Sequence, residues 1–217
     1  MNLISRFYNV DSGEIYIDGV DIAKVTLKSL RQQMGIMMQD SFIFSGTILD
    51  NIRYGKLDAT EEEVITAAKT VCAHEFIMEM KHGYQTEVNE RGSRLSVGQR
   101  QLISFARVLL ADPKIMILDE ATSSIDTETE MLLQRGLNEL LKGRTSFIIA
   151  HRLSTIKSVD KILYVDKGDI QEQGNHFELL EKQGLYFHLY QSQYQFLNVP
   201  KTSDLSTTES VLVDGGD

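Results

Sequence analysis

Proline and cysteine are scarce in this sequence, and tryptophan is absent. Only 2 of the 217 residues are proline, so helices and strands can run without the interruptions that this residue causes. The single cysteine, Cys72, excludes an intramolecular disulfide and any cluster of cysteine ligands for zinc or iron–sulfur. One thiol is typical of a protein of the reducing cytosol, and we expect Cys72 to be a small apolar residue in a helix.

Long apolar runs and an excess of basic residues are also missing. No segment approaches the roughly 18–20 consecutive apolar residues that cross a bilayer, and the opening residues lack the pattern of a signal peptide. Any membrane link is therefore expected to come through a partner or through sequence that is not printed here. The formal net charge of -9 makes nucleic acid a poor candidate partner, because its phosphates need a basic surface.

The order of the apolar segments predicts an α/β protein with a parallel sheet. Residues 115–118 are a continuous apolar run, typical of a strand that is buried on both faces, and residues 146–150 predict another buried strand. A helix is expected between them, over residues 127–141, and a further strand at 35–39. Near the beginning, the helical spacing of apolar residues predicts a helix over 3–7, and alternation predicts a strand over 13–19.

The middle and the end of the chain differ in character. Residues from about 46 to 110 are expected to be largely helical, with capping boxes that begin helices at Thr60 and Ser96. Residues 161–171 predict a hairpin that turns at a Lys-Gly pair. Residues 198–217 are rich in serine, threonine and aspartate, which predicts a disordered tail.

Two acids follow the first apolar strand directly. Asp119 and Glu120 are expected at the carboxyl end of that strand, the edge at which open α/β sheets bind ligands. An aspartate there can hold Mg²⁺ on the phosphates of a nucleotide, and the neighbouring glutamate can polarise an attacking water. The alternative is that two acids simply end a strand, because this short motif is not specific.

Polar residues also follow the neighbouring strands. His151 comes directly after the strand at 146–150, and a parallel sheet would bring it to the edge that holds Glu120. A histidine there can hydrogen-bond a γ-phosphate or the attacking water, although a histidine after a strand is more often structural. Gln39 ends another strand and is a candidate ligand for a metal or a water, the alternative being an ordinary polar loop residue.

A capped helix beginning supplies the third feature. Ser96, Gly98 and Gln99 lie where a helix starts, and the free N–H groups and the positive dipole end there attract anions. Ser96 adds a hydroxyl, and Gly98 would let the backbone approach a phosphate closely. The alternative is a capped helix with no ligand, which the pair Ser96 and Gln99 explains by itself.

Taken together, these segments resemble the ATP-binding cassette of ABC transporters of the exporter type. The resembling segments are residues 95–99 for the signature motif, 115–120 for the Walker B strand with its catalytic glutamate, 123–126 for the D-loop, Gln39 for the Q-loop glutamine and His151 for the switch histidine. Residues 45–52 are similar to an exporter segment, and residues 87–92 are similar to the exporter loop that touches transmembrane coupling helices. Val97 departs from the glycine that is commonest in the signature.

The resemblance implies a P-loop NTPase-like α/β fold, with a parallel-sheet core and a helical subdomain at about 46–110. Residues 1–197 would form a partial nucleotide-binding domain that takes ATP and Mg²⁺. Its implied catalytic residues are Glu120, His151 and Gln39, and its implied metal ligands are Asp119 and Gln39. Across a head-to-tail dimer, the implied nucleotide contacts are Ser96, Val97, Gly98, Gln99 and Asp126.

The P-loop itself is missing from the printed sequence. It requires two glycines five residues apart and then Lys with Ser or Thr, and no two of the 15 glycines have this spacing. By the resemblance, the chain begins after that motif and lacks the N-terminal strands, as an N-terminally truncated cassette does. Losing about four hydrogen bonds to phosphate would cost about 6 kcal/mol of binding free energy. The affinity for ATP would then fall by roughly 10⁴-fold. We therefore expect no useful ATPase activity from this chain alone.

The resemblance also implies partners and a location. The partners are a second nucleotide-binding domain and the transmembrane domain of an exporter, with no nucleic acid, at the cytoplasmic face of the plasma membrane. One alternative is a non-catalytic fragment that keeps only the dimer surface, which the missing P-loop favours. Another is an ABC-type ATPase of DNA maintenance, against which the acidic charge and the absence of coiled-coil heptads count. Salt-dependent DNA binding would distinguish the last of these.

Overall fold

A computed structural model describes residues 1–38, 41–89, 92–119, 126–150 and 153–197 of the chain. The chain divides into two compact units, with the boundary between residues 152 and 153. The predicted tail, residues 198–217, lies outside the described residues. No helix within the described ranges combines the length and the apolar character that are needed to cross a membrane.

The first unit contains a parallel sheet, two short antiparallel strand pairs and several helices. Its strands are β1 (Tyr16–Ile17), β2 (Val20–Asp21), β3 (Met34–Met37), β4 (Gly46–Thr47), β5 (Glu87–Val88), β6 (Ile115–Asp119) and β7 (Thr145–Ile149). Its helices are α1 (Leu27–Gln32), α2 (Ile48–Arg53), α3 (Glu61–Thr70), α4 (His74–Glu79), α5 (Val97–Ala111) and α6 (Thr127–Leu141). Strand β1 pairs with β2 and strand β4 with β5, both antiparallel.

Strand β6 is the central strand of the parallel sheet, whose order is β3-β6-β7. The residues from Ile115 to Leu118 are all buried, as expected for an apolar run that is covered on both faces. The register pairs Met37 with Leu118, and Asp119 with Ile149, so the carboxyl ends of the strands lie at one edge. The parallel sheet that the sequence predicts is therefore confirmed.

Strand β7 is less buried than its sequence predicts. Thr145 and Ile149 are exposed, and the residues between them are only half-buried. Among the described strands, β7 is hydrogen-bonded only to β6 and therefore lies at the edge of the sheet. The prediction of a strand buried on both faces is wrong for this reason, since an apolar run does not distinguish a central strand from an edge strand.

Helices α5 and α6 pack together over one face of the sheet. Leu102, Phe105 and Ala106 form the buried stripe of α5, at the spacing that one face of a helix requires. The main apolar core combines them with residues of the sheet and of α6, namely Met37, Met116, Leu118, Leu133, Leu137 and Leu140. A smaller core forms on Ile22, Leu30, Met34 and Ile115.

The two long helices run side by side in the same direction. Near their beginnings Gly98 lies against Thr129, and further along Gly136 lies against Phe105. The predicted start of α5 after Ser96 and the predicted bounds of α6 are both confirmed. Their N-terminal ends therefore lie next to each other.

The beginning of the chain differs from its prediction. Hydrogen-bonded turns replace the expected helix over 3–7, with the Ser5 N–H donating to the Met1 carbonyl. Arg6 has a φ of 52°, which an α-helix cannot accommodate. The expected strand over 13–19 is a tight hairpin of β1 and β2, turned by Asp18 and Gly19 at φ values of 49° and 76°. An Asp-Gly pair is a known hairpin signal that the sequence prediction missed.

The stretch from 46 to 110, for which we expected helices, contains α2, α3, α4 and most of α5. Helix α3 begins with the predicted capping box, in which Thr60 and Glu63 bond each other's backbone N–H groups. Helix α2 has a capping box of the same kind, formed by Thr47 and Asp50. The short β4–β5 pair in this stretch was not predicted. The expectation of a helix at Cys72 is wrong, because α3 ends at Thr70 and Cys72 lies in a turn with a φ of 62°.

The second unit contains α7 (Leu153–Lys157), the strands β8 (Ile162–Asp166) and β9 (Asp169–Gly174), and the helices α8 (His176–Glu181) and α9 (Leu185–Leu197). The predicted hairpin with its turn at Lys167 and Gly168 is confirmed. The Glu172 carboxylate accepts hydrogen bonds from the first N–H groups of α9, at 2.6 Å from Leu185 N and 3.1 Å from Tyr186 N. These bonds fix α9 to the hairpin.

Candidate functional site

The edge formed by the carboxyl ends of the parallel strands carries the first candidate residue. Asp119 is the last residue of β6, where the chain leaves the core, and its side chain is half-buried. The Asp119 carboxylate makes no hydrogen bond or ion pair with another described residue. It is therefore available to a ligand at this edge.

The predicted catalytic residues Gln39, Glu120 and His151 lie outside the described residues. The residue before each of the three is described: Met38 follows β3, Asp119 ends β6 and Ala150 follows β7. Because β6 is the parallel neighbour of both β3 and β7, the chain leaves all three strands at the same edge. The closeness of the three side chains remains a prediction.

A small cleft opens beside Asp119, with a volume of about 30 Å³. Its polar lining consists of Asp119, Gln101 of α5 and Gln134 of α6, and the rest is apolar. A volume of this size is far below the roughly 300–1,000 Å³ of a typical small-molecule pocket. The described residues therefore do not enclose a nucleotide here, and anything larger would bind across the open edge.

Gln101 and Gln134 were not found by sequence reasoning. Both are half-buried, and each lies next to a buried leucine of its helix, Leu102 or Leu133. A polar residue bordering an apolar stripe is the only sequence signal for them, and such residues are common on helices. The structure is needed to bring them to Asp119.

The beginning of α5 is the second part of the site. Ser96 Oγ accepts a hydrogen bond from Gln99 N at 3.1 Å, and Gln99 Oε1 accepts one from Ser96 N at 3.0 Å. The Val97 and Gly98 N–H groups have no acceptor among the described residues. These two donors, with the Ser96 hydroxyl proton and the positive end of the helix, can receive an anion.

Gly98 has a structural role that the sequence did not reveal. It is buried, and a β-carbon built on it would overlap Thr129 Cγ2 of α6. Its lack of a side chain is therefore needed for the contact between α5 and α6. The predicted reason for the glycine, a close approach of the backbone to phosphate, remains a prediction beside this packing role.

Asp126 caps the beginning of α6, next to the beginning of α5. Its Oδ1 accepts a hydrogen bond from Thr129 N at 2.9 Å, and this bond holds the pKa of the Asp126 carboxyl below its usual range. The side chain is thus charged at neutral pH and balances the dipole of α6. The neighbouring beginnings of α5 and α6 thus bring together the Ser96 hydroxyl, two available N–H groups and the Asp126 carboxylate.

A family profile described as "ABC transporter" matches residues 1–123, which is more than half of the chain. The chain belongs to the ABC transporter family. The family and the fold that the sequence predicts are therefore confirmed. The profile assigns no role to any single residue, so the roles of the candidate residues remain predictions.

Known relatives and a solved structure agree with this assignment. The chain is 59% identical over 193 residues to the "Uncharacterized ABC transporter ATP-binding protein YknV" of Bacillus subtilis, covering 89% of this chain and 32% of the relative. It is 51% identical over 189 residues to the "Fatty acid ABC transporter ATP-binding/permease protein" of Mycobacterium bovis, covering 87% of this chain and 30% of the relative.

One similar solved structure is described as "Structure of a bacterial Atm1-family ABC exporter with ATP bound". It matches with a TM-score of 0.82 and 45% identity, over 88% of this chain and 34% of that chain. The chain thus spans about a third of the length of the proteins it matches.

Proposed function

We propose that this chain is an ATP-binding and ATP-hydrolysing domain of an ABC exporter, acting with Mg²⁺ and in a pair with a second nucleotide-binding domain. The observation that carries the proposal is the common edge of the fold. The beginning of α5, with two available N–H groups at Val97 and Gly98, lies next to the beginning of α6. The half-buried carboxylate of Asp119 faces a cleft that Gln101 of α5 also lines.

The chemistry of Asp119 fits a magnesium ion better than a metal held by protein alone. Among the described residues there is no group of three or more His, Cys, Asp or Glu side chains that could hold a metal. Mg²⁺ commonly binds one or two carboxylates and completes its shell with water and substrate phosphates. When bound, Mg²⁺ would neutralise phosphate charge, and Asp119 and Gln39 would be its ligands from the protein.

The remaining roles follow from the family pattern. Glu120 would accept a proton from the attacking water, and Gln39 and His151 would hydrogen-bond the γ-phosphate or that water. Ser96, Val97, Gly98, Gln99 and Asp126 would contact the nucleotide held by the partner domain. The 217 printed residues contain no P-loop, so that element would come from another polypeptide or from sequence outside them.

The partners in this proposal are the second nucleotide-binding domain and a transmembrane domain, at the cytoplasmic face of the plasma membrane. The support is the length and the naming of the relatives, one of which is an ATP-binding/permease protein about three times as long as the matched region. A second candidate is a non-catalytic partner that supplies only the α5 end to an intact domain, and the two available N–H groups at Val97 and Gly98 are its support.

One experiment tests the proposal and separates it from the second candidate. The chain is mixed with an intact nucleotide-binding domain that carries a P-loop, and association is followed by light scattering as ATP and Mg²⁺ are added. We expect ATP-dependent pairing; failure to pair at any ATP concentration contradicts both candidates. In a chimera with a P-loop segment ahead of Met1, phosphate release supports the hydrolytic role, and pairing without release supports the non-catalytic one.

A further inference from the structure

Arg107 of α5 uses all three of its guanidinium nitrogens on a neighbouring segment. Its Nε donates to the Asn51 carbonyl at 2.7 Å, and its Nη2 donates to Asn51 Oδ1 at 2.9 Å. Its Nη1 donates to the Phe42 carbonyl at 2.9 Å. One side chain thus joins α5 both to α2 and to the segment that follows β3.

Asn51 extends this network along the same segment. It is only 1% exposed, and its Oδ1 accepts from Phe44 N at 2.9 Å. Its Nδ2 donates to the Phe44 carbonyl at 2.9 Å and to the Thr47 carbonyl at 3.0 Å. Every polar atom of the Asn51 side chain is therefore bonded to Arg107 or to residues 42–47, a segment that ends in strand β4.

The network holds a charged side chain in a partly buried position against an aromatic ring. Arg107 is partly buried, and its guanidinium lies over the Phe44 ring at 5.1 Å from the centroid. Burial lowers the pKa of the Arg107 side chain, because desolvation disfavours its charged form. Apolar residues of similar volume often stabilise a fold at least as well as buried charged groups, whereas a fixed hydrogen-bond network holds one defined geometry.

A second arginine on the same face of α5 holds the segment before the helix. Arg100 lies two turns before Arg107, and its Nη1 donates to the Leu95 carbonyl at 2.6 Å. Gly92, in the same loop, lies against Ile43 of the segment that Arg107 holds, since a β-carbon on it would be 3.2 Å from Ile43 Cγ1. The loop before α5 and the segment after β3 are therefore joined to one helix and to each other.

We propose that Arg107 is a positioning residue, which makes segment 42–47 and the Ser96 end of α5 move as one body. The inference rests on the proposed function, because the Ser96 end is the part offered to the nucleotide of the partner domain. In this role Arg107 acts through its hydrogen bonds to Asn51 and Phe42. A change in the segment after β3 is transmitted along α5 to Ser96, and loss of the guanidinium breaks this link.

The test compares Arg107→Met and Arg107→Lys with Arg144→Met. Arg144 is a matched control because it also donates to backbone carbonyls, of Pro113 at 2.9 Å and of Leu140 at 2.7 Å, at the other end of the two helices. Hydrogen exchange of the Phe44 and Gln99 amides is measured in the whole chain without nucleotide. The ATP concentration for half-maximal pairing with an intact domain is measured separately.

In Arg107→Met we expect faster exchange at both the Phe44 and Gln99 amides, by about tenfold, which corresponds to about 1.4 kcal/mol. Arg107→Lys keeps the charge but not the planar guanidinium, so its exchange rates should lie between those of Arg107→Met and those of the unchanged protein. Arg144→Met should leave both amides unchanged. The half-maximal ATP concentration should rise by about tenfold in Arg107→Met, a typical coupling between two sites.

Exchange that quickens at Phe44 but not at Gln99 overturns the inference, because Arg107 would then hold only its own neighbours. An equal rise in the exchange rate of the Gln99 amide in Arg144→Met also overturns it. Any loss of stability would then be enough to explain the faster exchange in Arg107→Met. If Arg107→Met does not fold, the Arg107→Lys comparison decides by the same criteria. If the unchanged chain does not pair with ATP, the proposed function fails, while the exchange measurement still decides the positioning role.

Discussion

Gly98 lies so close to Thr129 that a β-carbon on the glycine would overlap Thr129 Cγ2. The contact joins the beginnings of α5 and α6, the two helix ends that the candidate site uses. A second glycine, Gly136, allows α6 to approach α5 closely further along, where a β-carbon would be 3.2 Å from Phe105 Cδ2. The position of Ser96 relative to Asp126 therefore depends on the close packing of α5 and α6 at Gly98 and Gly136.

Gly98→Ala should destabilise the fold. On an exposed helix face, alanine would be more favourable than glycine by about 1 kcal/mol. Here the added methyl group meets Thr129, and overpacking typically costs about 1–3 kcal/mol. Urea unfolding of the two proteins measures the difference in the free energy of unfolding.

Thr129→Ser provides the control for that prediction. It removes the overlapping methyl group and keeps the hydroxyl. Gly98→Ala should therefore lower the free energy of unfolding clearly less in the Thr129→Ser background. A cost that is the same in both backgrounds would mean that the Gly98–Thr129 contact is not the cause.

Ser96→Ala should reduce both stability and nucleotide-dependent pairing. It removes the cap that binds Gln99 N, which should cost about 1 kcal/mol, and it also removes the hydroxyl proposed to face the nucleotide. Thr60→Ala is a matched control, because Thr60 forms the same kind of capping box at the beginning of α3. Thermal unfolding and the ATP titration of pairing are measured for both variants.

The two variants should lose similar stability, but only Ser96→Ala should need more ATP for pairing, by about tenfold if one hydrogen bond to a charged group is lost. Equal effects on pairing would show that Ser96 acts only as a helix cap.

Asp126→Asn should change how stability depends on pH. The bond from Thr129 N lowers the pKa of Asp126 in the folded state, so its charged form stabilises the fold above the unfolded value, about 3.9. This contribution should be full at pH 7 and should be lost as the pH falls through the lower folded value. Asparagine keeps the cap without the charge. Urea unfolding of both proteins should therefore show that the difference in their free energies of unfolding shrinks from pH 7 to pH 3. A difference that is constant over this range would contradict the assignment.

The local parts of the fold were predictable from the sequence. The bounds of α6, the capping boxes at Thr60 and Ser96, and the strand β6 all depend on residues within a few positions of one another. The predicted helix over 3–7 failed because its conformation depends on distant groups. Arg6 there donates to the Ile22 and Val25 carbonyls instead of continuing a helix.

The candidate site was predictable only as a set of residue types. The sequence indicated Asp119 and Ser96, but not that Gln101 and Gln134 line the cleft beside Asp119. The bonds between Arg107 and Asn51 join residues 56 positions apart and correspond to no sequence motif. Such contacts arise from the packing of α2 on α5, which periodicity cannot specify.

Asp119→Asn and Ser96→Ala should have different effects on the ATP concentration needed for pairing. In the proposed head-to-tail arrangement, Ser96 serves the nucleotide held by the partner domain, whereas Asp119 serves a nucleotide held by a P-loop in its own domain. Because the printed residues contain no P-loop, Asp119→Asn should leave ATP-dependent pairing with an intact domain unchanged. Asp166→Asn, at the exposed end of β8, is the control for loss of a strand-ending carboxylate.

In the chimera that carries a P-loop segment ahead of Met1, the expectation for Asp119 reverses. Loss of its charge should lower Mg²⁺-dependent phosphate release by at least about tenfold, since one charge-assisted contact is removed. Asp166→Asn should release phosphate at the unchanged rate. If Asp119→Asn weakened pairing in the mixture as much as Ser96→Ala does, both residues would act on the same nucleotide, and the head-to-tail arrangement would have to be abandoned.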